Sequence, residues 1–348
     1  MTQITEKQVM HALSHVIEPE LHKDLVTLDM ITNVEISEND VAFTVVLTTP
    51  ACPLKNEIQN ACETALRRHI PEIGNITVNW GAEVQKNSSL TDRLDIDVRN
   101  IIAVVAGKGG VGKSTIATNL AISLSLEGAN VGLMDADIYG PNIPLMMGVN
   151  ERPLSENDKI KPLIGHGIKL MSVGFLVEKE QPIIWRGPII HTAIRQFLSD
   201  VDWDDLDYLV VDLPPGTGDA SLSLAQSISL SGAVIVTTPQ QVAISDVIRS
   251  AGMFHKLNVP ILGVIENMSY FIAPDTGKRY NIFGEGGGKA MAKETGIPFL
   301  GEVPLESVVR ECGDEGVPVV IRHPESPAAK ALREIAKSVA AKISVQNV

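Results

Sequence analysis

The stretch Gly107-Lys108-Gly109-Gly110-Val111-Gly112-Lys113-Ser114-Thr115 decides how this chain is read. It follows a short apolar run, Ile101–Ala106, and leads into a helix-like run, Thr115–Leu126. Strand, glycine-rich loop and helix in that order make a cradle for anions. Glycines let the backbone turn so that successive N–H groups face inward. The start of the helix adds partial positive charge. In the pattern G-x-x-x-x-G-K-[ST] the Lys113 ammonium reaches the β- and γ-phosphates of a nucleotide, and the Ser114 hydroxyl is a ligand for Mg²⁺. The motif therefore predicts ATP and Mg²⁺ as ligands, held by Gly107, Lys108, Gly109, Gly110, Val111, Gly112, Lys113, Ser114 and Thr115. By spacing alone, Lys108 is only a solvated loop lysine.

Downstream, Val131–Asp135, Tyr208–Asp212, Ala233–Thr237 and Ile261–Asn267 repeat the theme of an apolar run, a polar or glycine-rich loop and a helical stretch. Strands covered by helices on both faces look like this. The expectation is an α/β fold: a P-loop NTPase domain over 98–348, with a mostly parallel sheet flanked by helices. Ser326 and Pro327 suit the cap and first position of a terminal helix whose apolar residues are Ala328, Leu332, Ile335, Val339 and Ile343. Upstream, residues 1–84 read as a small α+β domain. It has a helix from Thr5 to Val16, strands at Ile31–Ile36, Val41–Thr48 and Ile76–Trp80, and a helix from Pro53 to about Arg68. Residues 85–97 are polar and read as a linker.

Asp135 and Asp137 end one strand, and Asp212 ends another before Leu213-Pro214-Pro215-Gly216-Thr217-Gly218-Asp219. Ligands of open parallel sheets sit at the carboxyl ends of strands, so these carboxylates converge on the phosphate loop. One carboxylate can hold a metal-bound water and another can orient the attacking water. Asp135 is also suited to capping or ordering the loop. The Pro-Pro-Gly run fits a loop with two discrete positions. The amide of Asn267 offers a donor and an acceptor to an adenine edge.

Composition narrows the function classes. A net charge of −13 argues against a general nucleic-acid binder. No apolar run reaches the roughly 18–20 residues that span a bilayer. The first twenty residues carry no signal-like segment, so the expected location is cytoplasmic. Three cysteines, Cys52, Cys62 and Cys312, without a C-x-x-C pair, write no disulfide framework or closed metal site into one chain. Cys62 falls on an apolar helix face and reads as core, while Cys312 stays unassigned. His22, His166, His191 and His255 are dispersed singles.

The loop also resembles the deviant Walker A motif of the family that includes MinD, ParA and the nitrogenase iron protein. That resemblance implies a nucleotide-sandwich homodimer in which Lys108 reaches the partner's nucleotide, so that Lys108, Lys113 and Asp137 form the catalytic set. It implies that Asp212 is the Walker B aspartate at Mg²⁺ and that Gly216 senses the γ-phosphate. Asp137 resembles the switch residue that positions the attacking water, and Asn267 and Pro304 the residues that hold the base. More narrowly, Asp135–Asn142, Asp212–Asp219, Glu266–Phe271 and Phe283–Gly288 together look like the Mrp/ApbC branch of ATP-dependent iron–sulfur cluster carriers. Its members deliver clusters to apo recipient proteins. The N-terminal unit resembles the iron–sulfur assembly domain often fused to them. One departure matters. Many relatives carry C-P-x-C after a segment like Met268–Phe271, and here the chain reads Ile272-Ala273-Pro274-Asp275-Thr276-Gly277. The remaining candidate ligand for a cluster is Cys52, in Thr49-Pro50-Ala51-Cys52-Pro53-Leu54, where the positive end of a helix is expected to favour the thiolate. The alternatives are a MinD/ParA-like positioning ATPase and a metal-free, nucleotide-gated regulator.

Overall fold

Thr5 opens the first helix, α1 (Glu6–Leu13), with a reciprocal cap: its side chain accepts from the Gln8 amide while the Gln8 side chain accepts from the Thr5 amide. The chain is described here by a computed structural model covering residues 4–86, 98–137, 140–156, 159–176, 187–216 and 230–347, with backbone only for 187–191. Ile138, Tyr139, Thr217, Gly218, Asp219, the side chain of His191 and most of the expected linker lie outside the described residues. Contacts divide the chain into two units, Met1–Gln85 with Ala340–Val348, and Lys86–Val339.

In the first unit, β1 (Ile31–Ser37) pairs antiparallel with β2 (Asp40–Leu47). After the helix α2 (Lys55–His69), β3 (Ile76–Ala82) returns parallel to β2. A parallel return needs a crossover, and α2 provides it. Val41, Phe43, Val45 and Leu47 alternate inward along β2 and meet Ile58, Cys62 and Leu66 of α2 and Val9 and Leu13 of α1 in one core.

In the second unit, β4 (Val98–Ala106) runs through the phosphate loop into α3 (Lys113–Leu126). The chain continues through β5 (Val131–Asp135), a short α4 (Ile143–Met146), a two-residue hairpin of β6 (Ser155–Glu156) and β7 (Lys159–Ile160), β8 (Leu163–Gly165) and β9 (Ile168–Ser172). Helix α5 (Gly187–Ser199) leads to β10 (Leu206–Asp212) and β11 (Gly232–Thr237), and α6 (Gln241–Lys256) to β12 (Ile261–Asn267). A small hairpin of β13 (Phe271–Ile272) and β14 (Arg279–Tyr280) precedes α7 (Gly287–Thr295) and β15 (Phe299–Val303). Helices α8 (Ser307–Glu315), α9 (Val319–Arg322) and α10 (Pro327–Asn347) close the chain.

The sheet order is β15-β12-β11-β4-β10-β5-β9-β8, parallel throughout except for β8 against β9. Every residue of β5, β10 and β11 is buried, as strands covered on both faces require. The chain leaves β4 toward β5 on one side and later passes from β10 to β11 on the other. This reversal opens a crevice at the carboxyl ends of β4, β10 and β5, and the motif residues stand there. Helix α3 is buried along most of its length, from Ile116 to Leu124, so its apolar residues are not confined to one face, and Thr118, Asn119 and Ser123 are buried among them.

Reading the sequence placed five strands in this sheet. It passed over β8, β9 and β15, which are short or half-buried and broken by Lys169 or Gly301. The terminal helix begins at Pro327 as expected, and the Ser326 hydroxyl accepts from the Ala329 amide at 3.1 Å. The sequence kept that whole helix with the second domain. Contacts group its last turns, from Ala340, with the first unit, where the Ser344 hydroxyl meets that of Thr48.

Candidate nucleotide site

The loop conformation belongs to its glycines. Gly110 and Gly112 have φ of +81° and +83°, the left-handed region that other residues enter at a cost. A Cβ on Gly107 would lie 2.4 Å from Cβ of Asp246, and one on Gly112 only 2.2 Å from Nδ2 of Asn267. By contrast, the Cβ positions of Gly109 and Gly110 meet nothing within 4 Å. That open side is where backbone can approach a ligand. Gly112 is also the cap of α3 and brings no capping side chain, so the first-turn amides keep their capacity for an anion.

The charged groups lie where β4, β10 and β5 end. The buried Lys113 ammonium donates to Asp212 Oδ1 at 2.5 Å and stands 3.3 Å from Asp137 Oδ2. The Ser114 hydroxyl donates to Asp212 Oδ2 at 2.6 Å. Asp212 thus joins the loop lysine to the loop hydroxyl. Asp137 is 8% exposed, and its Oδ1 has no hydrogen-bond partner among the described residues. A buried carboxylate oxygen without a donor is costly, and Asp137 lines the cavity beside Lys113. Hydroxyl and carboxylate oxygens at 2.6 Å, with a second carboxylate close by, form the hard donor set that suits Mg²⁺.

Asp135 is fully buried one strand away. It accepts from the amides of Asp137 at 3.1 Å and Ile143 at 3.3 Å, and from the Ser172 hydroxyl at 3.0 Å. It therefore orders the loop after β5, the capping role considered for it in the sequence. Burial and the neighbouring Asp212 carboxylate push its carboxyl up to about 8. Burial raises Asp212 as well, with Lys113 pulling it back, so the pair shares a proton more readily than two free aspartates do.

The ordinary Asp135 value is 3.8, so between that and about 8 the folded chain holds a proton that the unfolded chain has released. This group's contribution to stability is greatest below the unfolded value and is lost as pH rises through the folded one. Wild-type protein is therefore expected to lose more unfolding free energy between pH 6 and pH 8 than Asp135→Asn, by at most ~1.4 kcal/mol per pH unit. Urea unfolding across that range reads the two slopes, and equal slopes would contradict the assignment.

A cavity of about 440 Å³ opens from the loop toward Asn267, Pro304 and Leu305. Asn267 is nearly buried, and its Nδ2 donates to the Val111 carbonyl at 2.8 Å. One amide hydrogen thus holds the phosphate loop, and the rest of the amide borders the cavity. The chain at 303–305 is tied beside it: the Ser269 amide donates to the Val303 carbonyl at 3.0 Å and the Leu305 amide to the Tyr270 carbonyl at 2.7 Å. Lys108 is half-buried, with its ammonium 3.3 Å from Gln240 Oε1. Gly216 has φ of +89°, and its amide donates to the Ala106 carbonyl at 2.7 Å. To reach a γ-phosphate, that hydrogen bond has to open.

The sequence reading did not single out Met146, Met268 or Arg310, which also line the cavity. It also missed Glu266, fully buried, which accepts from the Ser269 hydroxyl at 2.6 Å and the Gly288 amide at 2.5 Å. Met268 has φ of +53°. Met146 closes α4, Glu266 stands near the end of β12 with Met268 just after it, and Arg310 lies on α8, so tertiary packing and not one local pattern brings them to the site.

The cysteine readings divide. Cys62 is core, and burial pushes its thiol up to about 12. Cys312 is buried within α8, and burial raises its thiol too. For Cys52 the sequence expected a thiolate favoured by the helix start. The cap of α2 is Leu54, two residues further on, and the Cys52 thiol is pushed upward instead. Burial is the main cause and the Glu20 and Glu18 carboxylates add to it, outweighing the Leu54 amide and Lys55. The segment Ile272–Gly277 forms the exposed tip of the β13–β14 hairpin, closed by the Ala273 amide on the Lys278 carbonyl at 3.0 Å and offering no thiol.

Residues 97–340 match the family described as NUBPL iron-transfer P-loop NTPase, and residues 6–80 match the family described as iron-sulfur cluster assembly protein. A Synechocystis protein called iron-sulfur cluster carrier protein is 50% identical over 98% of this chain and 99% of its own length. A Deinococcus radiodurans protein of the same name is 48% identical over 97% of this chain and 96% of its own. Among solved structures, a nucleotide-binding protein from Archaeoglobus fulgidus in complex with ADP is 39% identical and superposes with a TM-score of 0.58, covering 66% of this chain and 90% of its own.

Proposed function

This chain belongs to the NUBPL iron-transfer P-loop NTPase family, and from that premise we propose that it is an ATP-hydrolysing carrier of iron–sulfur clusters that works as a homodimer in the cytoplasm and hands clusters to apo recipient proteins. The observation that carries the reading is the meeting of Lys113, Ser114, Asp137 and Asp212 at the mouth of the phosphate loop. Full-length similarity to proteins called iron-sulfur cluster carriers supports the cargo. Among the described residues no helix is long and apolar enough to cross a membrane.

In this reading the amides of 107–115 hold the phosphates of ATP, and Lys113 leaves its carboxylate partners to neutralise charge building on the γ-phosphate. Asp137 orients the attacking water through its unpartnered Oδ1. Ser114 and Asp212 would hold Mg²⁺, which when bound would supply charge compensation to the phosphates. Asn267, Pro304 and Leu305 receive the adenine, and Lys108 turns from Gln240 to the partner's nucleotide. Release of the Gly216 amide from Ala106 couples the γ-phosphate to the loop after β10.

Cys52 is the proposed cluster ligand of the small unit. A thiol held neutral by burial loses its proton when it coordinates a cation, so the raised value delays but does not prevent ligation. The test is anaerobic reconstitution of the full chain with ferrous iron and sulfide. Wild-type protein is expected to gain the visible absorption of a cluster, and Cys52→Ala to lose most of it. Wild-type protein that takes up no iron and sulfide would refute cluster carriage, and unchanged uptake by Cys52→Ala would refute the ligand.

A further inference from the structure

We propose that His11, His15 and His69, on the surface of the N-terminal unit, form a binding site for a divalent transition-metal ion of the zinc class. His11 and His15 are four residues apart, and the packing of α1 against α2 brings the distant His69 to them. His11 lies in the last turn of α1, His15 just beyond its end, and His69 is the last residue of α2. One ligand nitrogen from each ring lies within 4.8 Å of the other two. The His15 and His69 rings stack at 4.4 Å, and His11 meets both edge-on, at 5.1 Å and 5.9 Å.

Nitrogens sharing one ion at Zn–N distances of ~2.0–2.1 Å stand roughly 3.3 Å apart in a tetrahedral site. Closing the gap asks for about 1.5 Å of side-chain movement, and all three side chains are exposed and able to turn. One ring is already prepared. His15 Nδ1 lies 2.9 Å from the His11 carbonyl, which can only accept, so the Nδ1 proton is committed there. Its Nε2 then carries the free lone pair, the usual way a backbone carbonyl fixes the tautomer of a metal-binding histidine.

The donor set also selects the ion. Three imidazoles suit zinc, cobalt, nickel or copper rather than magnesium or calcium, which take oxygen. Three protein ligands leave coordination positions for water or a further ligand. Arg68 stands beside His15 and His69 in the adjoining groove, and its charge weakens the binding of a cation there. This site shares no residue with the phosphate loop and none with the proposed cluster ligand.

The experiment uses untagged, chelator-stripped, nucleotide-free full-length protein titrated with Co²⁺, whose visible bands report nitrogen ligation, and then with Zn²⁺ as competitor. One Co²⁺ per chain, displaced by Zn²⁺, is expected. His11→Ala and His69→Ala should each weaken binding by at least about tenfold, and the triple variant His11→Ala/His15→Ala/His69→Ala should abolish the bands. Cys52→Ser should leave them intact. Circular dichroism melts confirm that these surface variants stay folded. Absence of saturable Co²⁺ binding by the wild type, bands that survive in the triple variant, or bands lost in Cys52→Ser would overturn the proposal.

Discussion

Lys113→Ala is expected to lower ATP turnover by about a hundredfold to a thousandfold. The side chain is 7% exposed and is the one cation that reaches both Asp212 and Asp137 in the structure as described. In hydrolysis the same ammonium faces the oxygens of the departing phosphoryl group, where a fixed donor in a dry site is worth about 3–4 kcal/mol. Lost turnover alone could reflect lost folding, because removing the lysine leaves Asp212 and Asp137 without their counter-ion. Breaking a buried ion pair from one side costs about 3–5 kcal/mol. Turnover is therefore to be measured per folded molecule, with the folded fraction taken from urea unfolding. Folded Lys113→Ala protein that turns over within tenfold of wild type would remove Lys113 from the chemistry.

The second large effect belongs to Asp137. Asp137→Asn preserves the shape of the side chain but removes the charge of a cavity-lining carboxylate whose Oδ1 has no hydrogen-bond partner among the described residues. Its charge is what orients and polarises water, so kcat is expected to fall by about a hundredfold or more, within the usual range for a general base. The nucleotide is held by the loop amides and Lys113, so its dissociation constant should shift only a few-fold. That separation of kcat from binding distinguishes a water-orienting group from a binding one. Equal losses in both would make Asp137 a binding residue.

How far the sequence could be read depends on whether a feature is local. The loop at 107–115 was legible because glycine, lysine and hydroxyl occupy fixed offsets between a strand and a helix, and in the structure the glycines lie between β4 and α3 while Lys113 and Ser114 open α3. The carboxylates at the ends of β5 and β10 were legible for the same reason: an aspartate closing an apolar run marks the ligand end of a parallel strand. What the sequence could not weigh was environment. Asp135 and Asp137 are two residues apart, yet one is enclosed by three donors and the other has an oxygen without any. The Cys52 thiol looked activated from its place before a helix. The fold buries it near two glutamates, and desolvation dominates. The three histidines escaped notice because their meeting is tertiary: the His-x-x-x-His spacing of His11 and His15 is a cue, but His69 joins them only through packing of α1 and α2. Strand β15 was missed because Gly301 and Glu302 interrupt its apolar run at the sheet's edge.

The central claim is that backbone amides and the Lys113 ammonium form a triphosphate cradle, and equilibrium binding of ATP with Mg²⁺ to the purified chain tests it most directly. The account predicts saturable binding of one nucleotide per chain by the wild type, weakened at least about tenfold in Lys113→Ala. Wild-type protein that shows no saturable binding, or a variant that binds as tightly as wild type, would contradict it.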